Sequence, residues 1–354
     1  MNENIKTTIK DVARYAGVSI GTVDRVVHNR GQVSDRTRLL VMNAIAKLEY
    51  KPNIHASLLS SGNALTIACL LPSYTKGDYW DKVNNGFSDS QEKFDAINVN
   101  IRLFLYDQYD VSSFKKSYEE LLESNPSGVV LPPMFKSATI ELVNILKERG
   151  IPYVYIDTKL EDENYLAYFG MPLYNSGYLA CHLLTDGAFD SKKDEIAIIR
   201  IHRDKEGQSD PMINRRSGFL DYIAENFPDC VMYNIFIDPE DEVNINVKLG
   251  TFFRDHHNAR FIVTFNSRIH LVASYLESNH LPVRRVVGFD ALDKNMDALR
   301  KGLVTSIITL HMNELPHQAV SCLVDFLRNG VRPSNKDHFL HMDILMKLNQ
   351  EGYK

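Results

Sequence analysis

From Leu65 to Leu310 the chain alternates two textures. Short apolar runs rich in β-favouring residues are followed by amphipathic stretches with apolar side chains at helical spacing. The strand candidates are LTIACLLP, NVNIRLFLY, SGVVLPP, IPYVYID, DEIAIIRI, VMYNIFI, ARFIVTF, RRVVGFD and VTSIITL. Between them lie helix candidates such as SSFKKSYEELLES, YNSGYLACHLLTDG and INRRSGFLDYIAENF. Strand–helix alternation with compact connections specifies a parallel, doubly wound α/β sheet, because each crossover helix must cover a sheet face. Nine strands are too many for one comfortable sheet of this size. Two sheets are therefore expected, making two lobes with a cleft between them, and ligands bind beyond the carboxyl ends of such strands. No internal sequence repeat and no low-complexity segment is evident.

The first sixty residues have a different character. IKDVARYA places Ile9, Val12, Ala13 and Ala16 on one helical face. In GVS, Gly17 can take positive φ and Ser19 is placed to cap a second helix, IGTVDRVVHN, whose inner face is Val23, Val26 and Val27. Gly31 stops that helix. Ser34 caps a third, with Leu39, Val41, Met42, Ile45 and Leu48 expected inside. Pro52 breaks it, and NIHASLLSS follows as a short, marginal helix before Gly62. The expected divisions are residues 1–52, a linker over 53–64, and a body over 65–354. Within the body, one lobe takes about 65–168 plus 308–340 and the other about 169–307 plus 341–354.

Charge follows the same division. Residues 1–62 hold nine Lys/Arg against five acids, a formal +4, while the remainder carries −9, within a total of −5. A basic head on an acidic body points to a polyanionic partner for the head. No apolar run reaches the roughly 18 residues of a membrane span. MNENIKTTIKDVA lacks the segments of a signal peptide, so a cytoplasmic location is expected. Cys69, Cys181, Cys230 and Cys322 are scattered without CxxC spacing, which argues for plain thiols rather than a metal knuckle or disulfide framework. No GxSxG, P-loop or Rossmann fingerprint is present, and no catalytic set, cofactor site or metal site is expected. His256–His257 reads as part of a solvated loop.

The segment TIKDVARYAGVSIGTVDRVVHNRGQVSDRTRLLVMNAIAKLEYKPN closely resembles the DNA-binding head of the LacI family of transcription regulators. KPNIHASLL resembles the family's hinge. RRSGF, TFN and VVGFD recur in order in its sugar-binding, periplasmic-binding-protein-like body. The resemblance implies a helix-turn-helix whose second helix enters the major groove. By the family's pattern, Ile20, Gly21 and Arg25 lie on the base-reading side. Thr8, Ser19, Thr22, His28 and Asn29 complete the DNA-facing set, with Ser19, Thr22 and His28 near phosphates. Arg25 can fork onto guanine or touch phosphate only. Gly21 and Asp24 depart from the common pattern, so the operator sequence is not readable from the chain. Asn53, Ala56 and Leu59 fit the hinge, Leu59 at the position of the family's minor-groove wedge.

In the body the resemblance implies a small polar effector, a sugar in most members, held in the cleft. Arg215 of RRSGF, Asn266 of TFN and Asp290 of VVGFD match contact positions; Asn175, Tyr79 and Trp80 join them as candidates. Two alternatives stay open: Arg215 and Asp290 can pair with each other, and Trp80 can serve as a stacking platform or fill the lobe interior. Met171, Pro172, Leu173 and Leu310 stand where polar groups are common, which loosens any particular sugar assignment. The expected protein is a homodimeric, non-enzymatic regulator with double-stranded operator DNA and a small-molecule effector as partners. A solute-binding receptor would share the body but not the basic head, and a sugar-modifying enzyme on the same scaffold would show turnover.

Overall fold

The computed structural model describes residues 8–27, 33–48, 64–161, 164–201 and 210–353. The chain divides into two compact units, residues 1–63 with 327–330, and residues 64–326 with 331–354.

The first unit contains helices α1 (Ile9–Ala16), α2 (Ile20–Val27) and α3 (Asp35–Lys47). The start of α1 is held by Asp11, whose Oδ2 accepts from the Thr8 backbone N–H at 2.9 Å and from its hydroxyl at 2.6 Å. Gly17, at φ 65°, ends the helix in the left-handed conformation that glycine adopts without a Cβ clash. Ser34 Oγ caps α3 by accepting from the Thr37 N–H. Val12, Ala13, Val23, Val26, Val41 and Ala44 form the core. The inner face of α3 differs from expectation. Val41 and Ala44 are buried, whereas Leu39 and Met42 are 66% and 53% exposed. Two short partner helices cover only a narrow stripe of α3, too narrow for five large side chains.

The second unit holds two six-stranded sheets. The first is built from β1 (Leu65–Pro72), β2 (Val99–Tyr106), β3 (Gly128–Leu131), β4 (Tyr153–Ile156), β5 (Ala167–Gly170) and β11 (Asp337–Phe339). Its spatial order is β11-β5-β4-β3-β1-β2, parallel throughout. The second comprises β6 (Glu195–Ile201), β7 (Val231–Ile237), β8 (Phe261–Val263), β9 (Arg285–Phe289), β10 (Ser306–Leu310) and β12 (Met342–Leu345). Its order is β12-β10-β9-β8-β6-β7, parallel except for the antiparallel β12. The central strands are buried on both faces, which is why runs such as VTSIITL lack polar alternation.

The connecting helices are α4 (Tyr79–Asp95), α5 (Val111–Glu123), α6 (Lys136–Glu148), α7 (Leu173–Thr185), α8 (Asp210–Asn226), α9 (Glu242–Asp255), α10 (Ile269–Ser278), α11 (Asp293–Lys301) and α12 (Glu314–Asn329). Strand for strand the two sheets follow one plan: β4 corresponds to β9, and β5 to β10. The duplication is structural, with no matching sequence repeat.

The chain passes between the sheets three times: from β5 into α7, from β10 into α12, and from β11 into β12. α12 returns to the first lobe, where Asn313 and Pro316 close against Gly86 of α4 and His317 lies against Phe94 at 5.4 Å. β5 runs to Gly170 and β10 runs to Leu310, so these crossings fall slightly later than the sequence boundaries at 168 and 308. Strand pairing continues to the last residue before each crossover, and apolar pattern alone does not mark that point. His256 also departs from expectation, packing its ring against Tyr233 at 4.1 Å and Phe252 at 4.9 Å.

Candidate DNA interface and effector site

In the head, Ser19 and Thr22 fix the start of α2. Ser19 Oγ accepts from the Thr22 N–H at 3.1 Å and lies 2.9 Å from its hydroxyl. Ser19, Ile20, Gly21 and Arg25 are exposed on this helix and Thr22 is half-buried, while Val23 and Val26 turn inward. Ile20 is an apolar side chain that the head leaves in solvent. The face therefore combines hydroxyls, a guanidinium and an apolar group, the chemistry that phosphates and base edges require. Thr8 lies at the start of α1, with its hydroxyl held by Asp11. His28, Asn29, Asn53, Ala56 and Leu59 fall outside the described residues.

In the body, Tyr79, Asp157, Arg215 and Asp290 lie near the carboxyl ends of the strands, where the charges of Arg215 and Asp290 bear on Tyr79 and Asp157. Asp290 follows β9 and is 2% exposed. Its backbone stands at φ 67°, with its N–H bonded to Ile308 of β10. Its Oδ2 accepts from the Ser267 hydroxyl at 2.6 Å, while its Oδ1 is buried without a partner. Buried Asn295 braces this corner, donating to the carbonyls of Ser267, Phe289 and Asp290.

Arg215, on α8, is 6% exposed. It donates through one terminal nitrogen to the Phe265 carbonyl at 2.9 Å and through the other toward Met171 sulfur at 3.8 Å. Its guanidinium lies 4.2 Å from the Phe289 ring centroid, and its Nε is buried with no partner. No ion pair joins it to Asp290, so the two remain separate groups. Buried polar atoms without partners are uncommon in folded proteins, and two in one cleft mark a place where a ligand or water completes the bonding. The helix carrying Arg215 packs closely on α7: a Cβ on Gly177 would lie 1.7 Å from the Arg215 carbonyl oxygen.

The sequence reading did not single out Asp157, although it ends IPYVYID as Asp290 ends RRVVGFD. Asp157 is the counterpart of Asp290 in the other sheet. Its φ is 65°, and its N–H bonds to Phe169 of β5 as that of Asp290 bonds to β10. Tyr79 donates its hydroxyl to Asp157 Oδ1 at 2.8 Å. Burial pushes the Asp157 carboxyl up to about 6, with the Tyr79 hydroxyl and Arg215 pulling it down and Asp290 raising it. Tyr106, at the end of β2, adds a buried hydroxyl with no partner, within reach of the Asp157 charge.

The remaining candidates are arranged differently. Asn266 spends its side chain on the backbone, donating to the Ile201 carbonyl at 2.6 Å and accepting from the Arg268 N–H at 3.2 Å. Asn175 is exposed on the first turn of α7. Trp80 is buried, edge-on to Tyr79 at 5.1 Å. Interior packing thus accounts for Trp80, and Tyr79 is the ring tied to the cleft. Among the described residues, no group of His, Cys, Asp and Glu is placed to hold a metal ion, and no helix is long and apolar enough to cross a membrane.

Comparison with known proteins accords with both parts. Residues 8–53 match the model for bacterial regulatory proteins of the lacI family, and residues 67–330 match a periplasmic binding protein domain. The HTH-type transcriptional regulator RegA of Clostridium acetobutylicum is 36% identical over 158 residues, which are 44% of this chain and 45% of that protein. The chain thus spans between 36% and 45% of the length of the curated relatives it matches first. A solved chain from Bacteroides fragilis, described as a candidate LacI transcriptional regulator, is 29% identical with a TM-score of 0.76, covering 82% of this chain and all of that one. GanP, a glucose-galactose binding protein from Geobacillus stearothermophilus, shares the fold at TM-score 0.68 and 18% identity, covering 82% of this chain and 99% of its own. With a helix-turn-helix head matching the lacI model and a two-sheet body matching the binding-protein model, the chain belongs to the LacI family of transcriptional regulators.

Proposed function

We propose that the protein is a cytoplasmic homodimer that reads a pseudo-palindromic operator and is controlled by a small polar effector in the cleft between its sheets. The observation that carries the effector half is the convergence of Asp157, Arg215 and Asp290 at facing strand ends, with buried Arg215 Nε and Asp290 Oδ1 left unpaired. The exposed face of α2 supports the DNA half, with Arg25 as the base reader and Ser19 and Thr22 near phosphates. RegA and the Bacteroides fragilis chain are described as transcriptional regulators, which supports binding and switching rather than turnover.

The edge strand β2 supports dimerisation. It leaves Leu103 and Leu105 exposed, beside a cavity of about 250 Å³ lined by Phe87, Ser88, Gln91, Ile101 and Leu103. An apolar groove on a sheet edge is the surface a second copy can bury. Two heads then meet two half-sites. Effector binding favours one lobe arrangement over the other, and DNA affinity changes through that difference alone.

The test is selection from random duplex oligonucleotides by the full-length protein at low ionic strength, followed by gel-shift titration with and without candidate effectors. An enriched site with two related halves is expected, with affinity falling steeply as salt rises. Enrichment of no sequence overturns the DNA reading. Asp290→Ala is expected to keep operator affinity and to lose effector response; an unaltered effector titration removes Asp290 from the site.

A further inference from the structure

We propose that the cleft ligand carries a protonated amine, held between the carboxylates of Asp157 and Asp290. This rests on the cleft being the effector site. The chemical class is a polyhydroxylated primary amine such as an amino sugar.

Duplication of the sheet plan sets one carboxylate at the same point of each lobe, both on left-handed backbone. Each has one oxygen engaged by a hydroxyl, from Tyr79 and from Ser267. Asp290 Oδ1 is buried without a partner, and among the described residues the donor to the Asp157 side chain is Tyr79, on Oδ1. The cleft therefore offers two acceptor oxygens, one from each lobe.

The charge count points the same way. Among the described residues, Arg215 is the cation that acts on Asp157, and it is paired with neither carboxylate; its donors go to Phe265 and Met171. Lys82 is engaged by Asp293 at 2.9 Å. Arg200 stacks at 4.2 Å on Phe236 of the edge strand β7, with Arg216 as its charged neighbour. Residues 202–209, outside the described set, carry Arg203 and Lys205 against Asp204 and Glu206 and add no formal net charge. Among the described residues, the guanidinium that acts on Asp157 is thus bonded to neither carboxylate. A phosphorylated sugar would add a further negative charge, and a neutral sugar would leave the excess in place. An ammonium supplies the missing charge and three donors for the open oxygens.

Full-length protein would be titrated by calorimetry with glucosamine, galactosamine and mannosamine, with their neutral parent hexoses, and with glucose 6-phosphate. Fluorescence of Trp80, the sole tryptophan and in contact with Tyr79, gives a second readout. At least one hexosamine is expected to bind about tenfold or more tightly than its parent, a difference of roughly 1.4 kcal/mol. Asp157→Asn is expected to weaken hexosamine binding at least tenfold and so to remove that preference, with operator affinity in a gel shift unchanged. The preference is also expected to shrink as pH falls through about 6, where Asp157 gains its proton. The groups around it are Tyr79, Tyr106 and Tyr168, which stay neutral there, the constant charge of Arg215, and Asp290. A parent hexose or the phosphate binding as tightly as every hexosamine overturns the amine, as does a preference that survives in Asp157→Asn, or no hexosamine binding at millimolar concentration. Neutral-sugar binding without preference leaves the effector site standing, and the operator selection is independent of either result.

Discussion

A buried carboxylate at a strand end without an ion-paired partner works against the fold it sits in, and Asp157 is such a group. Its folded value near 6 lies above the ordinary 3.8, so the folded protein binds its proton more tightly than the unfolded chain does. The penalty is therefore present above about pH 6 and relieved as pH falls toward the unfolded value. Asp157→Asn is expected to raise the melting temperature of the ligand-free protein at pH 7 and above, with the gain narrowing as pH drops through 6. A pH-independent difference would show that ionisation is not its cause. In the head, Arg25→Ala is expected to cost about 1–3 kcal/mol of operator affinity and to relax preference at one base pair. Competition between the selected site and its single-base variants checks this. Arg215 and Asp290 could be picked out as candidates from the sequence because each belongs to an ordered motif. Asp157 could not, because its likeness to Asp290 lies in strand order, and strand order is invisible until the sheets are assembled. Asn266 was placed correctly at a strand end, yet its side chain is spent on backbone groups, an outcome that residue type alone does not disclose.

Among the elements, nine strands were readable as apolar runs, unbroken where both faces are buried as in β1, β3 and β10. β5, β11 and β12 were not. Like β3, β4 and β8 they are three or four residues long, but AYFG, DHF and MDIL carry glycine or polar residues that interrupt an apolar run. In α3, helical spacing found the helix but overcounted its inner face, since spacing does not tell how wide a stripe the neighbours cover. The α7–α8 contact is an element whose geometry reaches the cleft. Gly177 meets the backbone of Arg215 itself, and Gly218 reciprocates against Tyr174, where a Cβ would lie 2.0 Å from the carbonyl oxygen. Tyr174 and Tyr178 of α7 tie the pair by donating to Asp221 and Glu225 of α8. Gly177→Ala is therefore expected to push α8 away and carry Arg215 with it. Effector affinity should fall at least tenfold, with about 1–3 kcal/mol of stability lost to overpacking and operator binding by the untouched head retained. Calorimetry and gel shift on one preparation separate these effects.

At the scale of the whole body, Lys82 of α4 and Asp293 of α11 join the two lobes across the cleft mouth at 2.9 Å. Both side chains meet solvent, so the pair contributes at most about 1 kcal/mol and is screened by salt. Lys82→Met is expected to weaken effector binding by no more than about fivefold, an effect that vanishes in high salt. A salt-independent loss would mean that Lys82 touches the ligand. The three passages between sheets all leave from one side, where β5 and β11 edge the first sheet and β10 and β12 the second. Three parallel straps along one margin resist sliding and twisting but yield to folding, like the spine of a book. Whatever molecule settles between the pages bears first on how far the covers stand apart.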